Sequence, residues 1–163
     1  MSVTVHLIDP SDRTAVGMAA RLLDDFNTEF DTPTPGVDVL ADRLERAAPA
    51  RLFVLVATAD GVDERADIGI AVVSLRPNVW FDGPVALLDE LYVRPAHRNR
   101  GVGTHLLAAA GAEAARRGVE HLEIAVDESD VDARRFYERH GFGPFDLDSG
   151  DRVLLHSGSV VPT

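Results

Sequence analysis

The sequence predicts an α/β fold, a mixed, mostly antiparallel sheet flanked by helices, formed by a single domain over residues 1–163. Two observations predict it. Strand patterns interleave with helical patterns in the order β-α-α-β-β-β-α-β-α-β-β, which a sheet with helices on its faces satisfies. The length of 163 residues, with 45% hydrophobic and 26% charged residues, suits one domain that buries its own core. No repeat or low-complexity stretch interrupts the order.

Val3, Val5 and Leu7 alternate with polar residues, the pattern of a half-buried strand. Asp9-Pro10-Ser11-Asp12 supplies capping residues, and Val16, Ala19, Ala20, Leu23 and Phe26 recur at helical spacing, so a long helix follows. The prolines of Asp31-Thr32-Pro33-Thr34-Pro35-Gly36 end it, since each lacks an N–H and disfavours helix in the residue before it. A shorter helix is expected from about Val37 to Ala47. Arg51 to Thr58 and Asp67 to Leu75, on either side of the polar turn Asp60-Gly61, are apolar runs rich in β-formers and read as hairpin strands. A third run, Val85 to Val93, ends at Arg94-Pro95. Val102, Leu106, Leu107 and Ala110 then mark a helix that closes in Arg116-Arg117-Gly118, with bases in the last turn and glycine just beyond it. A strand from Val119 to Val126 and a helix from Asp130 to His140, ended by Gly141, come next. Short strands near Phe142 to Leu147 and Asp151 to His156 complete the order.

Composition removes several function classes. There is no cysteine, so acyl-cysteine catalysis and cysteine metal sites are excluded. All 16 basic residues are arginine, which removes a Schiff-base lysine and the lysine of an ATP-binding loop. The net charge of -11 argues against nucleic acid, whose affinity rests on neutralising phosphates. Met1 to Ile8 shows no basic stretch followed by a long apolar run, and no window reaches the roughly 18 apolar residues of a membrane span, so a cytoplasmic protein with no membrane partner is expected.

One segment reverses the overall charge. Between Arg94 and Gly103 there are three arginines and one histidine and no acid. The segment joins a strand to the start of a helix, where unpaired N–H groups and the helix dipole attract anions. Gly101 and Gly103 allow a bulky ligand to approach the backbone. A phosphate fits, although a plain tight turn with solvated arginines has the same letters. The dinucleotide fingerprint does not fit, because no third glycine follows.

The stretch Leu91-Tyr92-Val93-Arg94-Pro95-Ala96-His97-Arg98-Asn99-Arg100-Gly101-Val102-Gly103 resembles the acetyl-CoA motif of the GNAT superfamily of N-acetyltransferases. Downstream, Ala133-Arg134-Arg135-Phe136-Tyr137-Glu138-Arg139-His140-Gly141-Phe142 is similar to that family's A-x-x-F-Y-x-x-x-G-F segment. The resemblance is strong over about Val85 to Phe145 and agrees elsewhere only in element order. It implies the GNAT fold, acetyl-CoA as cosubstrate, no metal, and direct transfer of the acetyl group to an amine.

By the same resemblance, backbone N–H groups of Arg98, Asn99, Arg100, Gly101, Val102 and Gly103 would hold the pyrophosphate, with the Thr104 hydroxyl adding a bond. The main chain around Leu91, Tyr92 and Val93 would receive the pantetheine arm. Tyr137 is the candidate acid for the leaving thiolate, since a phenol of ordinary pKa near 10 stays protonated at neutral pH. It equally suits a core aromatic sharing a helical stripe with Ala133 and Phe136. Asp89 and Glu90 interrupt an apolar strand and are the candidate general bases. Adjacent strand residues point to opposite faces, so one of the two is expected in any given cleft. Many relatives carry asparagine where this chain has Asp130, which keeps an acceptor for the cofactor but loses the amide donor.

Asp24, Asp25, Glu29 and Asp31 on the first helix and its following loop suit a cationic acceptor, and a small polyamine or aminoglycoside-like amine is the preferred substrate. An ordinary solvated helix face in an acidic protein explains them equally well. Transfer to a protein N-terminus or lysine, and a non-catalytic acyl-CoA-binding module, are the alternatives. Dimers are common in the family, so a homodimer is the expected assembly, with Gly158 to Thr163 read as a frayed tail.

Overall fold

The computed structural model describes residues 2–47, 49–60, 65–146 and 148–156. Along the chain lie β1 (Val3–Leu7), α1 (Arg13–Glu29), α2 (Val37–Arg46), β2 (Leu52–Asp60), β3 (Arg65–Arg76), β4 (Val85–Val93), a 3-10 turn (Pro95–His97), α3 (Val102–Arg116), β5 (His121–Ile124) and α4 (Val131–Arg139). They form two compact units, Met1–Glu123 and Ile124–Thr163. The expected turn residue Gly61 and the expected tail from Gly158 to Thr163 lie outside the described residues.

The five strands make one mixed sheet in the order β1-β2-β3-β4-β5, flanked by helices as the sequence predicts. β1 to β4 are successive antiparallel neighbours. β2 is buried from Phe53 to Ala59, because it lies between two strands and is covered on both faces, which is why its sequence is a continuous apolar run. The edge strand β1 keeps the alternating pattern, yet Leu7 at its end is 45% exposed.

α1 starts at Asp12, whose carboxylate accepts from the N–H groups of Thr14 and Ala15 at 3.0 and 3.1 Å. Its apolar stripe, with Ala19 and Leu22 fully buried, packs against Val54, Val56, Ile70, Val72 and Tyr92 of the sheet. Leu23, Phe26 and Leu44 extend that core. α3 also packs on the sheet, contributing Leu106, Leu107 and Ala110 to the core. Gly69 admits this close packing, since a Cβ there would lie 2.8 Å from the Tyr92 carbonyl oxygen and 3.0 Å from Leu106 Cδ1.

In the second unit, Asp130 caps α4 by accepting from the Ala133 N–H at 3.0 Å, and Gly141 ends it at φ +87°. The two C-terminal strands expected from the sequence are absent among the described residues and reduce to one antiparallel bridge, Phe145 with Arg152. Local chemistry competes with a ladder there. Pro144 has no N–H to donate, and the Asp146 carboxylate draws the N–H groups of Asp148 and Ser149 into a turn.

Candidate active site

β4 carries both halves of the candidate site in the first unit. Its middle bears Asp89 and Glu90, and its end leads into the arginine- and glycine-bearing loop at 94–103.

The register of β4 against β3 shifts at this point. Glu90 pairs with Val72, but Leu88 pairs with Val73, so Asp89 is an extra residue forming a β-bulge. Simple alternation fails across a bulge. The expectation that only one of Asp89 and Glu90 could enter a given cleft is therefore corrected, since both line the same one. That cleft, about 420 Å³ in volume, is bounded by α1 and α2 on one side and the sheet on the other. Ser74 holds Asp89 through its hydroxyl and its backbone N–H. Burial nevertheless raises the Asp89 carboxyl above the usual aspartate value. Burial also raises Glu90, with the neighbouring charge of Asp89 adding to the effect. Among the described residues no hydrogen-bond donor or arginine is paired with Glu90. A half-buried carboxyl with a raised pKa and a free lone pair is a better proton acceptor than an ordinary glutamate.

At the other end of the strand Arg94 and Arg98 are tied to acids and carbonyls of the protein. Arg94 donates from Nε to the Asp67 carbonyl at 2.9 Å and from Nη2 to the Asp67 carboxylate at 3.3 Å. Its Nη1 lies 2.8 Å from Asp25 Oδ2, a buried oxygen whose angle to the guanidinium makes the contact an ion pair without a directed hydrogen bond. Arg98 pairs with Glu29 at 2.7 Å, donates from Nε to the Val93 carbonyl at 2.8 Å and covers the Tyr92 ring at 5.7 Å. The Tyr92 phenol is buried, stacked on Phe26 at 5.2 Å and bonded to Glu29. Burial first, and then Glu29, push its pKa up to about 12. The Arg98 bond holds the Glu29 carboxyl below its ordinary value.

The local excess of positive charge expected between Arg94 and Gly103 is therefore mostly cancelled by the fold. Two of the three loop arginines are neutralised by Asp25, Asp67 and Glu29. The same pairs occupy two of the four acids counted on the first helix and its loop as attractors for a cationic substrate. Asp24 accepts from Thr34 at 2.6 Å and so pins the loop before α2.

What remains for an anion is the backbone. Arg98 spends its N–H on the Pro95 carbonyl at 3.3 Å. Asn99 at φ +58° and Gly101 at φ +81° then turn the chain into α3. The first turn of α3 holds no acid, and no side chain caps its N-terminus. The Val102 and Gly103 amides thus stand at a bare, positively polarised helix end. Arg100 is exposed beside it and is in no ion pair among the described residues. Thr104 follows on the first turn.

The remaining predicted residues lie on both units. Leu91 and Val93 pair with Ala71 and Gly69 of β3. Tyr137 lies on α4 of the second unit, edge-on to Phe136 at 5.2 Å, and Asp130 there uses Oδ1 for the helix cap. Sequence reasoning missed Ser74, whose bond to Asp89 exists only across two strands, and the apolar cleft residues Leu23, Phe26, Leu40, Leu52 and Val72, whose types signal only burial. No group of three or more metal-ligating side chains occurs among the described residues, and no described helix is long and apolar enough to cross a membrane.

The chain belongs to the acetyltransferase (GNAT) family, whose model matches residues 16–142. A crystal structure from Arthrobacter sp. FB24, of a protein provisionally assigned as an acetyltransferase, is 44% identical, with 96% of each chain covered and a TM-score of 0.82. The aminoalkylphosphonate N-acetyltransferase of Salmonella typhimurium is 40% identical over 75 residues, 46% of this chain and 49% of that one. The chain spans about half the length, or less, of the curated relatives it matches. An aminoglycoside acetyltransferase from an uncultured soil metagenomic sample, in complex with sisomicin, shares the fold at 16% identity and a TM-score of 0.73, covering 98% of this chain and 97% of that one.

Proposed function

We propose that residues 1–163 act as one catalytic domain that transfers the acetyl group of acetyl-CoA to a small cationic primary amine. The bulge of β4 carries the reading, because it brings Glu90 into a cleft on the strand that leads straight to the bare N-terminus of α3. The amides at 99–103, with Arg100 and Thr104 beside them, would hold the pyrophosphate, and the main chain of Leu91, Tyr92 and Val93 would flank the pantetheine. Asp130 would add a contact through the oxygen its helix cap leaves free.

In the proposed reaction Glu90 takes a proton from the substrate ammonium. The freed nitrogen lone pair forms a bond to the thioester carbonyl carbon, the carbon–sulfur bond breaks, and the thiolate takes a proton from Tyr137. The second proton of the reacting nitrogen restores the phenol, which leaves an amide and free CoA. Ser74 keeps Asp89 in place, so its charge favours a cation in the cleft. A cleft of about 420 Å³ suits a small acceptor better than a peptide chain. A binding module without catalysis would have no need of an unpaired carboxyl there.

Thiol release from acetyl-CoA across a panel of amines tests the reading. Wild type should turn over, while Tyr137→Phe should keep the acetyl-CoA-induced rise in melting temperature and lose most turnover at neutral pH. No stabilisation by millimolar acetyl-CoA would overturn the cosubstrate assignment.

A further inference from the structure

The chemistry of the cleft narrows the acceptor beyond its amine. All its anionic groups lie on one strand, at Asp89 and Glu90 of β4. The opposite walls are Leu23 and Phe26 of α1 and Leu40 of α2, and the floor is Leu52 and Val72. No arginine lines the cleft. The acids of α1 that could have made a second cationic subsite, Asp25 and Glu29, are turned away to Arg94 and Arg98. Asn27 and Ser74 are the remaining polar lining residues, and Ser74 is already bonded to Asp89.

We infer that the acceptor is a primary monoamine with a compact apolar body, an arylalkyl or branched alkyl amine, whose ammonium meets Asp89 and Glu90 while its hydrocarbon part lies against Leu23, Phe26, Leu40 and Val72. The inference rests on the acetyl-transfer reading above. A polyhydroxylated aminoglycoside would press hydroxyl and ammonium groups against walls that offer no hydrogen bonds, and each buried polar group left unpaired weakens binding. A linear polyamine would place its second charge on the same apolar surface. Asn27 allows one neutral polar substituent on the ligand.

The test compares 2-phenylethylamine, spermidine and neamine as acceptors at saturating acetyl-CoA, by thiol release. The expected result is a kcat/KM for 2-phenylethylamine at least tenfold above the other two. In a Leu40→Gln variant with an unchanged acetyl-CoA thermal shift, its KM should rise about tenfold with kcat nearly constant, and neamine should not be used less well. Spermidine or neamine as the better substrate, or an unchanged KM in Leu40→Gln, overturns this inference alone. No turnover with any of the three, while acetyl-CoA still raises the melting temperature, overturns acetyl transfer to amines and this inference with it.

Discussion

The two ends of β4 handle charge in opposite ways. In the middle of the strand, Asp89 and Glu90 share a cleft that holds no arginine, and burial raises both carboxyls. A few residues on, Arg94 and Arg98 are matched by Asp25, Asp67 and Glu29, and the Glu29 carboxyl is lowered. One region leaves a charge uncompensated and is available to a ligand; the other pairs its charges internally and holds α1 against the strand. Uncompensated groups in a cleft mark function better than the number of charges in a segment.

Substitutions can break this contrast, and the largest effect is expected at Glu90. Glu90→Gln should lower kcat by about 100-fold or more while leaving the acetyl-CoA thermal shift intact. Asp89→Asn should cost much less, since Asp89 is already bonded to Ser74. A rate loss at Asp89 equal to that at Glu90 would transfer the base to Asp89.

Next in size is the packing between β3 and the end of β4. Gly69→Ala places a Cβ 2.8 Å from the Tyr92 carbonyl oxygen, so a loss of about 1–3 kcal/mol is expected in denaturant unfolding. Gly101→Ala meets nothing closer than His105 at 3.8 Å, so its loss of about 1–2 kcal/mol should come from the left-handed backbone alone. Gly101→Asp should additionally abolish the acetyl-CoA thermal shift, because it brings a carboxylate to the proposed pyrophosphate site.

The smallest effect, but the sharpest comparison, is in the pH dependence of stability. Glu29 is depressed in the folded protein, so its stabilisation is present above its unfolded value near 4.5 and is lost as pH falls through the folded value. Glu29→Gln should therefore be less stable than wild type at pH 7, with the difference closing in acid. Glu90 is raised, which reverses the sign. Its penalty is absent below about 4.5, appears as pH rises through the window between unfolded and folded values, and then stays constant. Glu90→Gln should be more stable than wild type at pH 7, and the gain should vanish in acid. Arg98→Ala should cost only about 1 kcal/mol at neutral pH, as expected of a partly exposed ion pair. Unfolding curves at several pH values check all three.

Much of the fold was legible because burial repeats with the period of each element. β4 begins and ends at the expected residues, α1 starts after its Asp12 cap, and α3 ends before Gly118 in the left-handed region. The C-terminal strands were not, because the apolar letters of Val153, Leu154 and Leu155 signal a strand whether or not a partner is present to pair with it. Likewise, alternation could not foresee the bulge at Asp89, which exists only in register against β3.

The sequence by itself determined the element order from β1 to α4, the glycine-bearing helix start at Gly101 and the family, because each is written in neighbouring residues. Only the tertiary structure decided which charges are free. Asp25 and Glu29 lie some 70 residues from the arginines they neutralise, and no local pattern encodes a pairing made by folding a helix back onto a strand.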